Sequence, residues 1–170
     1  MASERAPKGA RSFFRARWLD SFRGPNHTSR HPWRKEFDVI HLPVLVVLLN
    51  VLLLFATGLV VASARSRHGV KAPATTGHPD FERAFRVQMN TLEHTVVFLP
   101  TLWLAAQWGN PTWAGILGLV WIVARAWYVP AYLRSAEARH HPFMLSMIAW
   151  LLLLALAIWG VVRLFLLQPW

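Results

Sequence analysis

The chain has no cysteine. That excludes a disulfide framework and a thiol nucleophile of its own, so any thiol chemistry must use the sulfur of a substrate. Tyrosine is nearly missing: two residues stand against ten Trp and ten Phe, an aromatic balance typical of membrane proteins. Acid is scarce as well, with 8 Asp plus Glu against 18 Lys plus Arg, a net charge of +10. Such a charge first suggests nucleic acid, but its distribution argues otherwise. Nine of the basic residues lie in the first 38 positions, and the others flank or punctuate apolar runs. No nucleic-acid partner is expected. No cleavable signal peptide is expected either, because the first long apolar run begins near Val39, too late and too long for an h-region.

What is present in quantity is apolar sequence, 55% of 170 residues, enough for one domain. Residues 1–37 are set apart as a basic extension. Arg11–Arg23 mixes Phe13, Phe14, Trp18, Leu19 and Phe22 with arginines, the pattern of a short amphipathic helix on an anionic lipid surface or of a disordered tail. His27 and His31 are four apart, but Pro25 and Pro32 spoil the helix that would pair them, and His140-His141 reads as a solvated loop pair; no metal site is expected. Residues 38–170 form the second region, with spans at about 39–62, 81–108, 112–133 and 142–167. Each is near or above the ~20 residues that cross ~30 Å of hydrocarbon. Asn50 is a strongly polar residue inside the first span and suits an interhelical hydrogen bond. Asp80 is a plausible N-cap of the second helix, Pro100 predicts a kink in it, and Gly109-Asn110-Pro111 predicts a tight turn. Ala114 and Gly118 are a small-residue pair suited to close helix contact. The fold expected is an all-α integral membrane bundle of four transmembrane helices.

Two polar groups interrupt this apolar background. In Phe81–His94, FERAFRVQMNTLEH, a helical reading puts Arg86, Asn90 and Glu93 on one face at i, i+4 and i+7, with His94 on its edge and Arg83 a turn earlier. In the third span Arg125 lies ~20 Å along the helix axis, at ~1.5 Å per residue, where a charge costs roughly 2.5–3.5 kcal/mol or more. Tyr128 and Tyr132 share its face at +3 and +7. With alternating spans, the 63–80 and 134–141 loops fall on one side, which gathers Arg65, Arg86, Asn90, Glu93, Arg139 and the end of helix three. Ion pairs of Arg86 and Arg125 with Glu93 could tie the helices together. One carboxylate cannot satisfy two embedded guanidiniums, however, and Glu93 is the only acid between Glu82 and Glu137. An anionic ligand is the simplest missing partner: two carboxylates, one amine and peptide groups would engage this set.

The stretches TTGHPDFERAFRVQMNTLEH and LVWIVARAWYVPAYLRSAEAR carry a family resemblance. The chain resembles the MAPEG superfamily of membrane-associated proteins in eicosanoid and glutathione metabolism. Within it, the chain is similar to the branch holding leukotriene C synthase and the microsomal glutathione transferases. The resemblance spans about residues 39–165. It implies a homotrimer with glutathione, as co-substrate, held between adjacent protomers and its thiol near the lipid. Arg65, Arg86, Gln88, Asn90, Glu93, Arg125, Tyr128 and Tyr132 match glutathione-contacting positions, and Arg139 matches the arginine proposed to stabilise the thiolate. His94 stands at a further contact position where the synthase has tyrosine, and Ser66 where it has a second arginine, with Arg67 adjacent. Arg139 and Tyr128 are the expected catalytic pair, acting on a lipophilic electrophile in the bilayer.

The activity so implied is a glutathione transferase, with peroxide reduction and detoxification within its scope. A non-enzymatic lipid-binding scaffold of the same superfamily is the alternative. By family analogy the 63–80 and 134–141 loops face the cytosol. That puts the N-terminus opposite, whereas nine Lys plus Arg in residues 1–38 would hold it inside by the positive-inside rule.

Overall fold

The computed structural model describes residues 32–167. The basic extension's amphipathic segment and the His27–His31 pair lie outside the described residues. Four helices follow in order: α1 Pro32–Arg67, α2 Pro79–Leu104, α3 Pro111–Arg134 and α4 His140–Leu167. A π-helical turn, Ala105–Gly109, extends α2. All four expected helices are present.

Three helical segments are long and apolar enough to cross a membrane: His41–Arg67, α3 and α4. Helix α2 falls short of that standard, unlike the four-span expectation. Its 26 residues reach ~39 Å at ~1.5 Å each, ample length. The reason is chemical: Asp80, Glu82, Arg83, Arg86 and Glu93 fall in its first fifteen residues, while its last ten, TVVFLPTLWL, carry no charge.

Helix boundaries follow local chemistry. His78, not Asp80, is the N-cap of α2: its backbone is extended and its Nδ1 accepts from the Asp80 N–H at 3.2 Å. Asp80 falls in the first turn, where its charge suits the helix dipole. At the predicted tight turn, Asn110 caps α3 through Oδ1, accepting from Trp113 N–H at 3.1 Å, with Pro111 following at the first helical position.

The core is apolar and narrow. Phe98 of α2 stacks on Trp121 of α3 at 3.8 Å between ring centroids, nearly parallel. Val46, Leu102, Leu153 and Ala157 close around them. The interhelical bond expected of Asn50 forms: Thr95 Oγ1 donates to Asn50 Oδ1 at 3.2 Å, both residues buried. The outward faces are apolar too, with Leu48, Val51 and Phe55 on α1 and Ile158, Trp159 and Phe165 on α4 all exposed. Such an apolar exterior suits hydrocarbon, not water.

Small residues set the helix approach. Gly118 faces Val46 of α1 and Leu102 of α2, and Gly115 faces Leu42. Gly160 of α4 is the tightest: a Cβ there would overlap the backbone of Trp108 and Gly109 in the π-helical turn. Backbone cannot rotate aside as a side chain can. We therefore expect Gly160→Ala to cost about 1–3 kcal/mol or more. Thermal unfolding of the detergent-solubilised protein, compared with Gly58→Ala, checks this. A Cβ at Gly58 meets only the Gln88 amide, at 3.4 Å, an ordinary contact.

Candidate functional site

The polar face of α2, the C-terminal half of α3, the 135–139 loop and the first turn of α4 meet at one end of the bundle. Helical spacing places each group. The buried stripe of α2 runs Phe81, Ala84, Val87, Thr91, Thr95 and Phe98. Asn90 therefore sits at its margin, and Arg86 and Glu93 turn outward and are exposed. On α3, Arg125, Tyr128 and Tyr132 share a face and are all buried.

Arg125 is the centre of the arrangement. It is 0% exposed. Its Nη1 donates to Asn90 Oδ1 at 2.9 Å. Its Nε and Nη2 are buried without a partner. The guanidinium lies 5.4 Å from the Trp121 ring, 5.3 Å from Tyr128 and 5.7 Å from Phe143, so aromatic faces enclose the charge. The alternative, ion pairs of Arg86 and Arg125 with Glu93, is not formed among the described residues. Among the described residues, all three ion pairs converge on Asp80, and neither Arg86 nor Arg125 has an acidic partner. An amide instead of a carboxylate holds Arg125, which leaves its charge uncompensated.

Two adjoining clefts open here. One, of about 530 Å³, is lined by Asn90, Tyr128, Ala136, Glu137, Arg139, His140 and Phe143. The other, about 160 Å³, is lined by Arg86, Met89, Asn90, Glu93, Tyr128, Tyr132 and Arg139. Asn90, Tyr128 and Arg139 belong to both. The Arg139 guanidinium covers the Tyr132 ring at 4.6 Å, and Tyr132 lies 5.7 Å from the Tyr128 ring. A third cleft, about 270 Å³, joins Arg86 and Glu93 to Thr75, Thr76 and Glu82.

The single chain thus brings Arg86, Asn90, Glu93, Tyr128, Tyr132 and Arg139 to the clefts, with Arg125 beneath. It does not bring Arg65 or Gln88. Arg65 Nη1 donates to the carbonyls of Val70 at 3.2 Å and Ala74 at 3.0 Å, and its guanidinium covers Phe81 at 4.6 Å. It is committed to the 68–78 loop. Gln88 turns toward Gly58 of α1. His94 is half-buried and meets Phe143 edge-on at 5.6 Å. Phe143, Glu137 and His140 were not anticipated. Phe143 lies one helical turn after Arg139, a spacing that could have found it.

A family model for the MAPEG family matches residues 43–159. The chain belongs to the MAPEG family. Its relatives in this family include leukotriene C4 synthase of Cavia porcellus, 43% identical over 129 residues, 76% of this chain and 86% of that protein. Microsomal glutathione S-transferase 2 of Mus musculus is 43% identical over 106 residues, 62% of this chain and 72% of that protein. An uncharacterized protein of Synechocystis is 44% identical over 111 residues, 65% of this chain and 81% of that protein. For this MAPEG member, such relatives support a role in glutathione metabolism at a membrane and activity of the glutathione-transferase type.

Proposed function

We propose that this protein is a membrane-embedded glutathione transferase that binds glutathione across the two adjoining clefts and presents its thiolate to lipophilic electrophiles in the bilayer. The observation that carries the reading is Arg125: a wholly buried guanidinium with two unpartnered nitrogens, under clefts that also hold Arg139, Tyr128 and Asn90. A buried, unpaired charge is costly and calls for an anion.

Glutathione offers matching chemistry. Its carboxylates suit the Arg86 and Arg125 forks, its ammonium suits Glu93, and its peptide groups suit Asn90 and Tyr132. Arg65, Gln88 and His94 match contact positions in the family. Arg65 and Gln88 would act by shaping the loop and the α1–α2 contact, or from a neighbouring protomer. The assembly is a homotrimer with the ligand between protomers, α2 is the fourth span, and the loops at this end face the cytosol.

The chemistry is electrostatic. A free thiol has a pKa of ~8.5, and a nearby guanidinium or helix N-terminus lowers it. Arg139 and the first turn of α4 border the same cleft, so both fields favour the thiolate. Its proton leaves to solvent, Tyr128 supplies a hydroxyl to the sulfur, and the thiolate forms the new C–S bond as the electrophile's leaving group departs or its π-bond opens. With a hydroperoxide the same thiolate attacks the distal oxygen, the O–O bond breaks to release the alcohol, and a second glutathione converts the resulting sulfenic acid to glutathione disulfide and water.

Calorimetric titration with glutathione, followed by a conjugation assay with an aromatic electrophile, tests the proposal. Saturable binding and turnover are expected. Absence of both would favour the non-enzymatic reading, for which the apolar groove of about 340 Å³ between Pro43, Val47, Leu99 and Trp103 offers a lipid seat.

A further inference from the structure

We propose that His68, His78 and Asp80 form a binding site for a divalent transition-metal cation of the zinc type, stapling the end of α1 to the start of α2. The donor set is two imidazoles and a carboxylate, a combination suited to zinc and its neighbours. The three ligand atoms lie within 4.8 Å of one another.

Three observations carry the site. First, the donors converge without bonding each other. Asp80 Oδ2 lies 3.7 Å from His68 Nε2 and 3.8 Å from His78 Nδ1, too far for hydrogen bonds. Zinc bonds of ~2.0–2.2 Å to nitrogen and oxygen need oxygen–nitrogen separations a few tenths of an ångström shorter, and the two ring nitrogens, within 4.8 Å of one another, must come to a similar separation. Second, the two imidazoles stack at 3.7 Å between centroids, 11° from parallel. The stack brings both rings to the carboxylate; because a ring nitrogen's lone pair lies in the ring plane, one imidazole swings out of the stack to share an ion with the other. Third, the carboxylate is divided. Arg83 pairs with Oδ1, while Oδ2 accepts no hydrogen bond. An outer partner that orients a ligand oxygen and leaves the other free is the usual support of a metal ligand.

One contact must be exchanged. His78 Nδ1 accepts the Asp80 N–H at 3.2 Å, and coordination replaces this cap bond. Entry is open. His68 and Asp80 border a cleft of about 560 Å³ that also includes Arg67 and Ser63, and the side chains of His78 and Asp80 are 44% and 51% exposed.

The site lies apart from the glutathione clefts and does not depend on that reading. It closes residues 68–78, the loop whose carbonyls Arg65 holds and whose Thr75 and Thr76 face Arg86. The bound ion would restrain this loop; no reaction is assigned to it.

The test uses tag-free, full-length protein in detergent, stripped with a chelator and titrated with Co²⁺ as a spectroscopic probe, then with Zn²⁺ in competition. One equivalent of Co²⁺ per chain is expected, with ligand-field absorption stronger than that of the aqueous ion and displaced by Zn²⁺. Zn²⁺ should raise the thermal midpoint of the wild type. Both signals should be lost in His68→Gln and in Asp80→Asn, with helicity by circular dichroism retained. His78→Gln is the second variant should either of these fail to fold. A wild type without the Co²⁺ band overturns the proposal. So does a band that survives in the His68→Gln/His78→Gln double variant, which would send the ion to other histidines of the chain.

Discussion

Replacing Arg139 with alanine is expected to lower the conjugation rate about 10²-fold while glutathione still binds. Removal of one preorganised group that stabilises developing or resident negative charge typically has that effect. Arg139 is exposed and lines both clefts, and it rests on Tyr132 at 4.6 Å, so its loss should not disturb the buried core. The sign of the pH effect follows. If the guanidinium stabilises thiolate, the wild-type rate rises through an apparent pKa below ~8.5, and the variant's profile moves up toward that free-thiol value. Each unit of that movement is ~1.36 kcal/mol of lost thiolate stabilisation. Thiolate absorbance on glutathione addition, measured alongside binding, separates the roles. Unchanged absorbance in Arg139→Ala would remove Arg139 from the thiolate assignment; lost binding would make it a carboxylate clamp instead.

Replacing Arg125 with methionine should separate stability from function. Glutathione binding is expected to weaken by 2–5 kcal/mol, about 30-fold or more, as a buried charge contact to an anion is removed. The protein without glutathione should not lose stability, and its midpoint should hold or rise. Methionine roughly fills the volume and contacts the same aromatic walls, and a buried charge with Nε and Nη2 unpartnered is a liability when no anion is present. The one direct bond lost, to Asn90, leaves an amide at the edge of an open cleft where water can reach it. Thermal unfolding with and without glutathione reads both quantities. A fall in the ligand-free midpoint with wild-type affinity would make Arg125 a structural tie and deprive the functional proposal of its main support.

These two arginines differ in how far sequence could place them. Arg125 was legible as a problem: a charge deep in an apolar helix is expensive wherever the helix turns. Its partner was not legible. Glu93 and Asn90 lie on the same face of α2, three residues apart, and charge favours Glu93. Packing reverses this, because the buried stripe through Val87, Thr91 and Thr95 turns Asn90 inward and Glu93 outward. Arg65 shows a similar limit. It was expected within the 63–80 loop, but α1 continues through Arg67, and its capture by the Val70 and Ala74 carbonyls depends on the path of the short irregular segment that follows. The capping exchange at α2 is subtler still. Asp80 is the better capping residue by type, yet the chain turns one residue before Pro79, and His78 takes the place.

By itself the sequence determined the helical membrane character, the four helices, the turn at Gly109-Asn110-Pro111 and the one-face grouping of Arg86, Asn90 and Glu93. These rest on hydropathy, periodicity and capping, which act over a few turns of chain. Only the tertiary structure decided that Asn90 holds Arg125, that Gly160 meets the π-helical turn, and that His68 stacks on His78 beside Asp80. Each of those contacts joins two elements across a loop or between helix faces. Its outcome depends on how far each helix is rotated and how the loop returns, quantities set by packing of the whole bundle and by no local spacing.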